Sequence, residues 1–216
     1  MGDYTTFLER QRERISALRH ALESDFAAGD PVILEFGCGH GHWLTSYAEA
    51  DPTRACLGID LISDRVRKAN AKRTKRRLGK LHFYKAEAGE ILQAWPVDRP
   101  IAAIFMLFPD PWPKARHHKH RMIQHAFLTE IATRVPAGTR FHFRTDHEDY
   151  FAWAMEHFAE HPGWQLIPDA PWPWETPTVF QKLMDSWQSL IAERTDAPLP
   201  HPGDQGHLDG QTNENQ

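Results

Sequence analysis

Val32-Ile-Leu-Glu-Phe-Gly-Cys-Gly-His-Gly41 is a short apolar run that ends in three glycines at alternate positions. Its Val, Ile and Phe favour an extended buried strand, and the glycines allow the positive φ of a tight turn in which backbone can approach a ligand closely. An amphipathic stretch near His42 to Ala50 follows and completes a strand–turn–helix unit. That unit decides the fold, because a parallel strand needs a long crossover, usually a helix, to reach its neighbour.

The same alternation extends in both directions. Upstream, residues 5 to 24 place Phe7, Leu8, Gln11, Ile15, Leu18 and Leu22 at three- and four-residue intervals, which predicts a leading helix. Downstream, strands are expected at Ala55 to Asp60, Leu81 to Tyr84, Ile101 to Leu107 and Arg140 to Arg144. Helices are expected at Ser63 to Leu78, near Gly89 to Gln93, at Met122 to Val135 and at Asp149 to Ala159. Strands separated by helices specify an α/β fold, here a single doubly wound, Rossmann-like domain with a mostly parallel sheet. The domain is expected to span residues 1–194, and the polar stretch 195–216, without an apolar face, reads as a disordered tail. Between them, Pro168, Pro171, Pro173 and Pro177 punctuate a loop that carries Trp172 and Trp174, read as exposed.

Composition narrows the function only broadly. Of 216 residues, 41% are apolar and 25% charged, which is ordinary for a globular protein. The longest apolar run, Ile101 to Phe108, is far short of the ~20 residues needed to cross a bilayer. No secretory leader is read at the N-terminus, and Cys38 and Cys56 lack metal-type spacing, so a reduced cytoplasmic setting is expected. A net charge of −4 argues against a protein that coats nucleic acid indiscriminately.

Acids recur at the strand ends. Glu35 precedes the turn formed by Gly37, Gly39 and Gly41, Asp60 ends the next strand, and Glu87 follows the third. At the carboxyl ends of parallel strands these positions suit a nucleoside, with Asp60 placed for ribose hydroxyls. Three acids and no phosphate-seeking Lys in the turn favour a cationic nucleoside without phosphates, a description that S-adenosylmethionine satisfies. Phe108-Pro-Asp-Pro-Trp-Pro-Lys114 follows the fourth strand, and its three prolines hold Asp110, Trp112 and Lys114 in a fixed order. Asp146 follows the fifth. The tract Ala115-Arg-His-His-Lys-His-Arg121 crowds three histidines among three cations with no acid or Cys, so phosphate contact or a solvated loop is favoured over a metal. Together with the basic helix 65–80, the loop 114–121 forms a cationic footprint suited to a nucleic-acid backbone.

These motifs, Glu35 to Gly41, Leu57-Gly-Ile-Asp60, Phe108 to Lys119 and Thr145-Asp146, resemble in order and spacing the bacterial tRNA (guanine-N7)-methyltransferases. The resemblance implies a class I methyltransferase fold and S-adenosylmethionine held by Glu35, Asp60, Glu87 and Asp110, with Asp110 at the reaction centre. It also implies tRNA bound by Lys114 and Asp146. The family's late Thr-Lys-Phe-Glu segment aligns with Thr178-Val-Phe-Gln181, so Thr178 and Gln181 become acceptor-site candidates while the charged pair is gone. That change, with the two tryptophans, keeps a second acceptor in view, the ring nitrogen of a small heteroaromatic molecule. A non-catalytic tRNA-binding subunit ranks last, because the cofactor acids are present. Leu183, Met184, Trp187, Leu190 and Ile191 fit a helix where the family has its final strand, and for 183–191 helix and strand both stay open.

Overall fold

The computed structural model describes residues 2–175 and 186–199. Its elements in order are α1 (Gly2–Asp25), β1 (Val32–Phe36), α2 (His42–Ala50), β2 (Ala55–Asp60), α3 (Ser63–Lys75), β3 (Leu81–Lys85), α4 (Ala88–Ala94) and β4 (Ile101–Leu107). A 3-10 turn (Ala115–His120), α5 (His125–Ala132), β5 (Arg140–Thr145), α6 (Glu148–Glu160), β6 (Trp164–Leu166) and β7 (Gln188–Arg194) follow.

The seven strands form one sheet in the order β3-β2-β1-β4-β5-β7-β6. The first five run parallel, and β7 is inserted antiparallel between β5 and β6. The order reverses between β1 and β4, so a crevice opens at their carboxyl ends, where sheets of this kind bind ligands. Alternation along β1 builds both cores. Leu34 and Phe36 face α1, α4, α5 and α6 through Leu22, Ile91, Leu128 and Tyr150, whereas Ile33 faces α2 and α3 through Trp43, Leu44, Val66 and Phe83. Over β4 and β5 the second face is packed by Trp172 and Trp174, which meet Phe105, His142 and Tyr47.

Several boundaries depart from the sequence reading, each for a local reason. α3 stops at Lys75 rather than Leu78, because Arg77 turns to φ 56 and the Leu78 amide donates back to the Arg73 carbonyl, burying Leu78. The helix expected from Met122 begins at His125, since Arg121 and Gln124 are extended. β6 was not anticipated. The helix considered across residues 183–191 is replaced, over its described part, by β7, whose Leu190 and Ile191 are buried in the sheet; Leu183 and Met184 lie outside the described residues.

Residues 195–199, assigned to the tail by composition, are held to the domain. Thr195 donates through its amide to Gly163 and through its hydroxyl to Pro162, and Leu199 packs on the core. Residues 200–216 lie outside the described residues. Among the described residues no helix is long and apolar enough to cross a membrane.

Candidate functional site

The parallel register brings the acids to one edge of the sheet. Glu35 pairs in register with Gly58 on one side and Phe105 on the other, one residue before β1 ends. Asp60 is the last residue of β2, and Glu87, Asp110 and Asp146 follow β3, β4 and β5.

The glycine turn sits against the first two acids. Gly37, Gly39 and Gly41 all have positive φ, between 54° and 71°. At Gly41 the need is also steric, because a Cβ would lie 2.6 Å from the Phe83 ring and 2.8 Å from Ala69. Asp60 fixes the turn: its Oδ2 accepts from the Gly39 amide at 3.0 Å and its Oδ1 from the Ile62 amide at 2.8 Å. Arg65 approaches the same carboxylate at 3.6 Å. A carboxylate has about four acceptor positions, so Asp60 keeps capacity for a ligand hydroxyl.

Glu35 is the unusual member. Only 3% of it is exposed, and its Oε2 is buried without a hydrogen-bond partner. Burial first, and the Asp60 charge second, push its carboxyl up to about 8. An uncompensated buried carboxyl beside a second acid is costly, and a cation in the crevice would relieve it.

Neither Glu87 nor Asp146 is spent on capping a helix. Glu87 stands at the N-cap of α4 but makes no side-chain cap bond, and α6 is capped by His147, whose Nδ1 accepts from the Tyr150 amide. Both acids are exposed at the crevice edge.

The proline-rich loop is anchored at three points. Phe108, at φ 51, donates its amide to the Arg144 carbonyl at 2.7 Å, which extends the β4–β5 ladder one step. Trp112, at φ 46, lies against His120 with ring centroids 4.9 Å apart. Arg121 is only 2% exposed, donates from Nε to the Pro111 carbonyl at 2.8 Å and covers the rings of Tyr150 and Trp153. Two non-glycine residues at positive φ cost energy that these anchors must offset. Asp110 and Lys114 are exposed on this loop, and the Asp110 charge reaches Tyr150, where it adds a smaller upward push to a hydroxyl raised to about 12 mainly by burial.

Two sequence expectations are corrected here. Arg121 does not belong to the phosphate-seeking tract, because it is buried under the loop it supports. Trp172 and Trp174 are not exposed: they are half-buried on the sheet, and their indole N–H groups find no acceptor. Thr178 and Gln181 lie outside the described residues. Among the described residues no three His, Cys, Asp or Glu side chains are grouped to hold an ion.

Sequence reasoning missed Arg144. This buried arginine donates from Nε to Ser189 Oγ at 2.7 Å, forms a two-pronged pair with Glu175 at 2.9 and 3.2 Å, and lies 3.9 Å above the Trp172 ring. An arginine at the inner end of the strand Arg140-Phe-His-Phe-Arg144, directly before Thr145-Asp146, was the available signal.

Residues 29–190 match the profile of a family described as putative methyltransferase. Among curated proteins, the chain is 34% identical over 147 residues to the tRNA (guanine-N(7)-)-methyltransferase of Chromohalobacter salexigens, covering 68% of this chain and 60% of that relative. It is 31% identical over 180 residues to the enzyme of the same name from Rhodopseudomonas palustris, covering 77% and 72% respectively. The first match therefore spans less than two thirds of its relative's length. Solved structures show likeness of fold alone. The 16S rRNA methyltransferase KamB superposes with a TM-score of 0.58 at 19% identity, over 81% of this chain and 92% of that one. A SAM-dependent O-methyltransferase from Thermotoga maritima gives 0.53 at 13%, over 87% and 67%.

Proposed function

Because the chain belongs to the putative methyltransferase family matched across residues 29–190, we propose that it methylates N7 of a guanine in tRNA, with S-adenosylmethionine as methyl donor. The reading takes residues 1–194 as one catalytic domain working in the cytoplasm. One observation carries it: the buried Glu35 oxygen without a partner, beside Asp60 in the glycine turn, at the sheet's switch point. A pair of acids there suits a ligand that is itself positive. A phosphate-bearing nucleotide would meet repulsion instead.

The donor, when bound, supplies an electrophilic methyl group on a sulfonium. Glu35 offers its buried carboxyl to the donor's positive charge, Asp60 offers acceptor positions to a ribose, and the backbone of Gly37, Gly39 and Gly41 leaves room for close approach. Glu87 completes the set at the end of β3. Asp110 stands on the stiffest loop of the crevice and faces the reaction centre. N7 of guanine already carries a lone pair, so the protein need not remove a proton; it must align the acceptor and place negative charge near the cationic product. Asp110 and Asp146 do that. Lys114, beside Asp110, is suited to a phosphate of the substrate strand, and Thr178 and Gln181 are assigned to the guanine by alignment with the family's late segment. A small heteroaromatic acceptor is a second reading, favoured by Gln181 standing where the family has a carboxylate.

Incubation with labelled S-adenosylmethionine and either unmodified tRNA or a small-molecule extract separates the two. Label in tRNA, released as 7-methylguanine, is expected; label only in the small fraction would replace this reading with the second. Asp110→Asn should lower turnover at least 100-fold with an unchanged circular dichroism spectrum. Near-normal activity would remove Asp110 from the centre.

A further inference from the structure

The outer side of the glycine turn carries a feature that the methyl-transfer site does not use. An open groove of about 490 Å³ runs between this turn and α3, lined by His40, His42, Arg67, Lys68, Lys72 and Lys75. No carboxylate lines it. The acids nearby are already engaged: Asp64 pairs with Arg67 at 2.6 Å and Lys68 at 2.7 Å, and Glu49 pairs with Arg76 further along. Elsewhere on the basic segment Lys80 is paired with Asp30, and Arg73 is turned back onto the Leu78 carbonyl. The groove gathers four of the cations of residues 65–80 against the single carboxylate of Asp64, which Arg67 and Lys68 share.

Lys72 ties the groove to the turn. Its Nζ donates to the His40 carbonyl at 2.6 Å and lies 2.9 Å from His42 Nε2. An ammonium has no lone pair, so His42 accepts through Nε2 and carries its proton on Nδ1. These contacts use two of the three ammonium hydrogens, and Lys72 lines the groove. Burial and the nearby Arg76 charge hold the Lys72 ammonium below its usual range, a strain that a bound anion relieves. The same five-residue turn is thus held from inside by Asp60 on the Gly39 amide and from outside by Lys72 on the His40 carbonyl.

We propose that this groove is a second phosphate-binding site, which holds the backbone of the RNA substrate on the β2–β3 flank of the donor crevice, opposite Lys114 and the loop after β4. An open groove with four cations against one carboxylate, that of Asp64, fits a run of phosphates along a strand better than one small anion. Its link through Lys72 places that grip next to the turn that receives the donor. The proposal rests on the reading that the substrate is tRNA.

The test compares Lys68→Ala combined with Lys75→Ala against the wild type, and against a control that loses two exposed cations elsewhere, Arg12→Ala with Arg134→Ala. Binding of an unmodified tRNA transcript is measured across a salt series, alongside methylation and calorimetric donor affinity. The groove variant should bind tRNA roughly tenfold more weakly near physiological salt. Its log–log salt slope should be shallower by about 1.4 to 1.8, since each of the two phosphate contacts contributes about 0.7 to 0.9. Turnover at saturating tRNA and donor affinity should match the wild type. An unchanged salt slope in a wild type that does methylate tRNA would overturn the groove and leave the activity standing. A wild type that binds tRNA through these lysines without methylating it would overturn the activity and leave the groove. Equal weakening in the control, or groove-dependent binding of polyglutamate instead of RNA, would overturn the groove as a phosphate site.

Discussion

At the scale of single residues, Glu35 shows how a site can be built at the expense of stability. A carboxyl whose pKa is raised on folding stabilises the protein below its unfolded value and loses that contribution as pH climbs through the folded one. For Glu35 that window runs from the ordinary 4.5 to about 8, on the order of 5 kcal/mol across it. Urea denaturation at pH 6 and pH 9 should therefore show the wild type weakening with pH, and Glu35→Gln weakening much less while binding the donor at least tenfold more poorly. A variant with the same pH slope as the wild type would show that Glu35 is not the group responsible. The presence of an acid here was legible in the sequence, because a residue's distance from the end of a strand fixes which edge of the sheet it reaches. Its burial was not, since that depends on Cys38, Asp60 and the packing of α2, which local spacing does not encode. Arg121 illustrates the same limit: in sequence it is one more cation in a basic tract, and only Tyr150 and Trp153, some thirty positions later, turn it into a support for Pro111.

At the scale of elements, the first five strands were legible because apolar runs and turn residues agree there with the tertiary pairing. β7 was not, because Gln188-Ser-Leu-Ile-Ala-Glu-Arg194 fits a helix as well as a strand by pattern, and its pairing with β5 decides. That pairing carries the Arg144 clamp, which joins β5, the start of β7 and the Trp172 loop. Arg144→Met should release the loop, shift the tryptophan emission to the red and raise the tRNA KM more than it lowers kcat. Exchanging the pair, Arg144→Glu with Glu175→Arg, should recover part of the loss, and no recovery would mean the contact is incidental. On the opposite face His161 joins α5 to the chain before β6: its Nδ1 accepts from the Gly163 amide at 3.0 Å and its Nε2 meets Thr129 Oγ1 at 2.9 Å. Burial, with the charges of His125 and Arg194 behind it, lowers its pKa to about 4. A histidine kept neutral on folding contributes stability above its unfolded value near 6.5 and loses it as pH falls toward 4, here up to about 3 kcal/mol. Denaturation midpoints should drop over that interval, and His161→Gln should flatten the drop.

At the scale of the whole molecule, charge is divided by place. A net charge of −4 coexists with cations gathered on α3 and on the loop after β4, and with acids along the carboxyl edge between them. A polyanion drawn to both flanks is thereby kept from the acidic centre except where a neutral base edge can enter. The chain leaves the sheet after Leu166 and re-enters it at Gln188, opposite Thr145, without disturbing the register of the five parallel strands. Trp172, Trp174 and Glu175 tie that excursion to Phe105, Tyr47 and Arg144. A change elsewhere in it that kept those three fixed points would leave the strand tips bearing Glu35, Asp60 and Glu87 where they are, so one excursion can vary without the donor side being rebuilt.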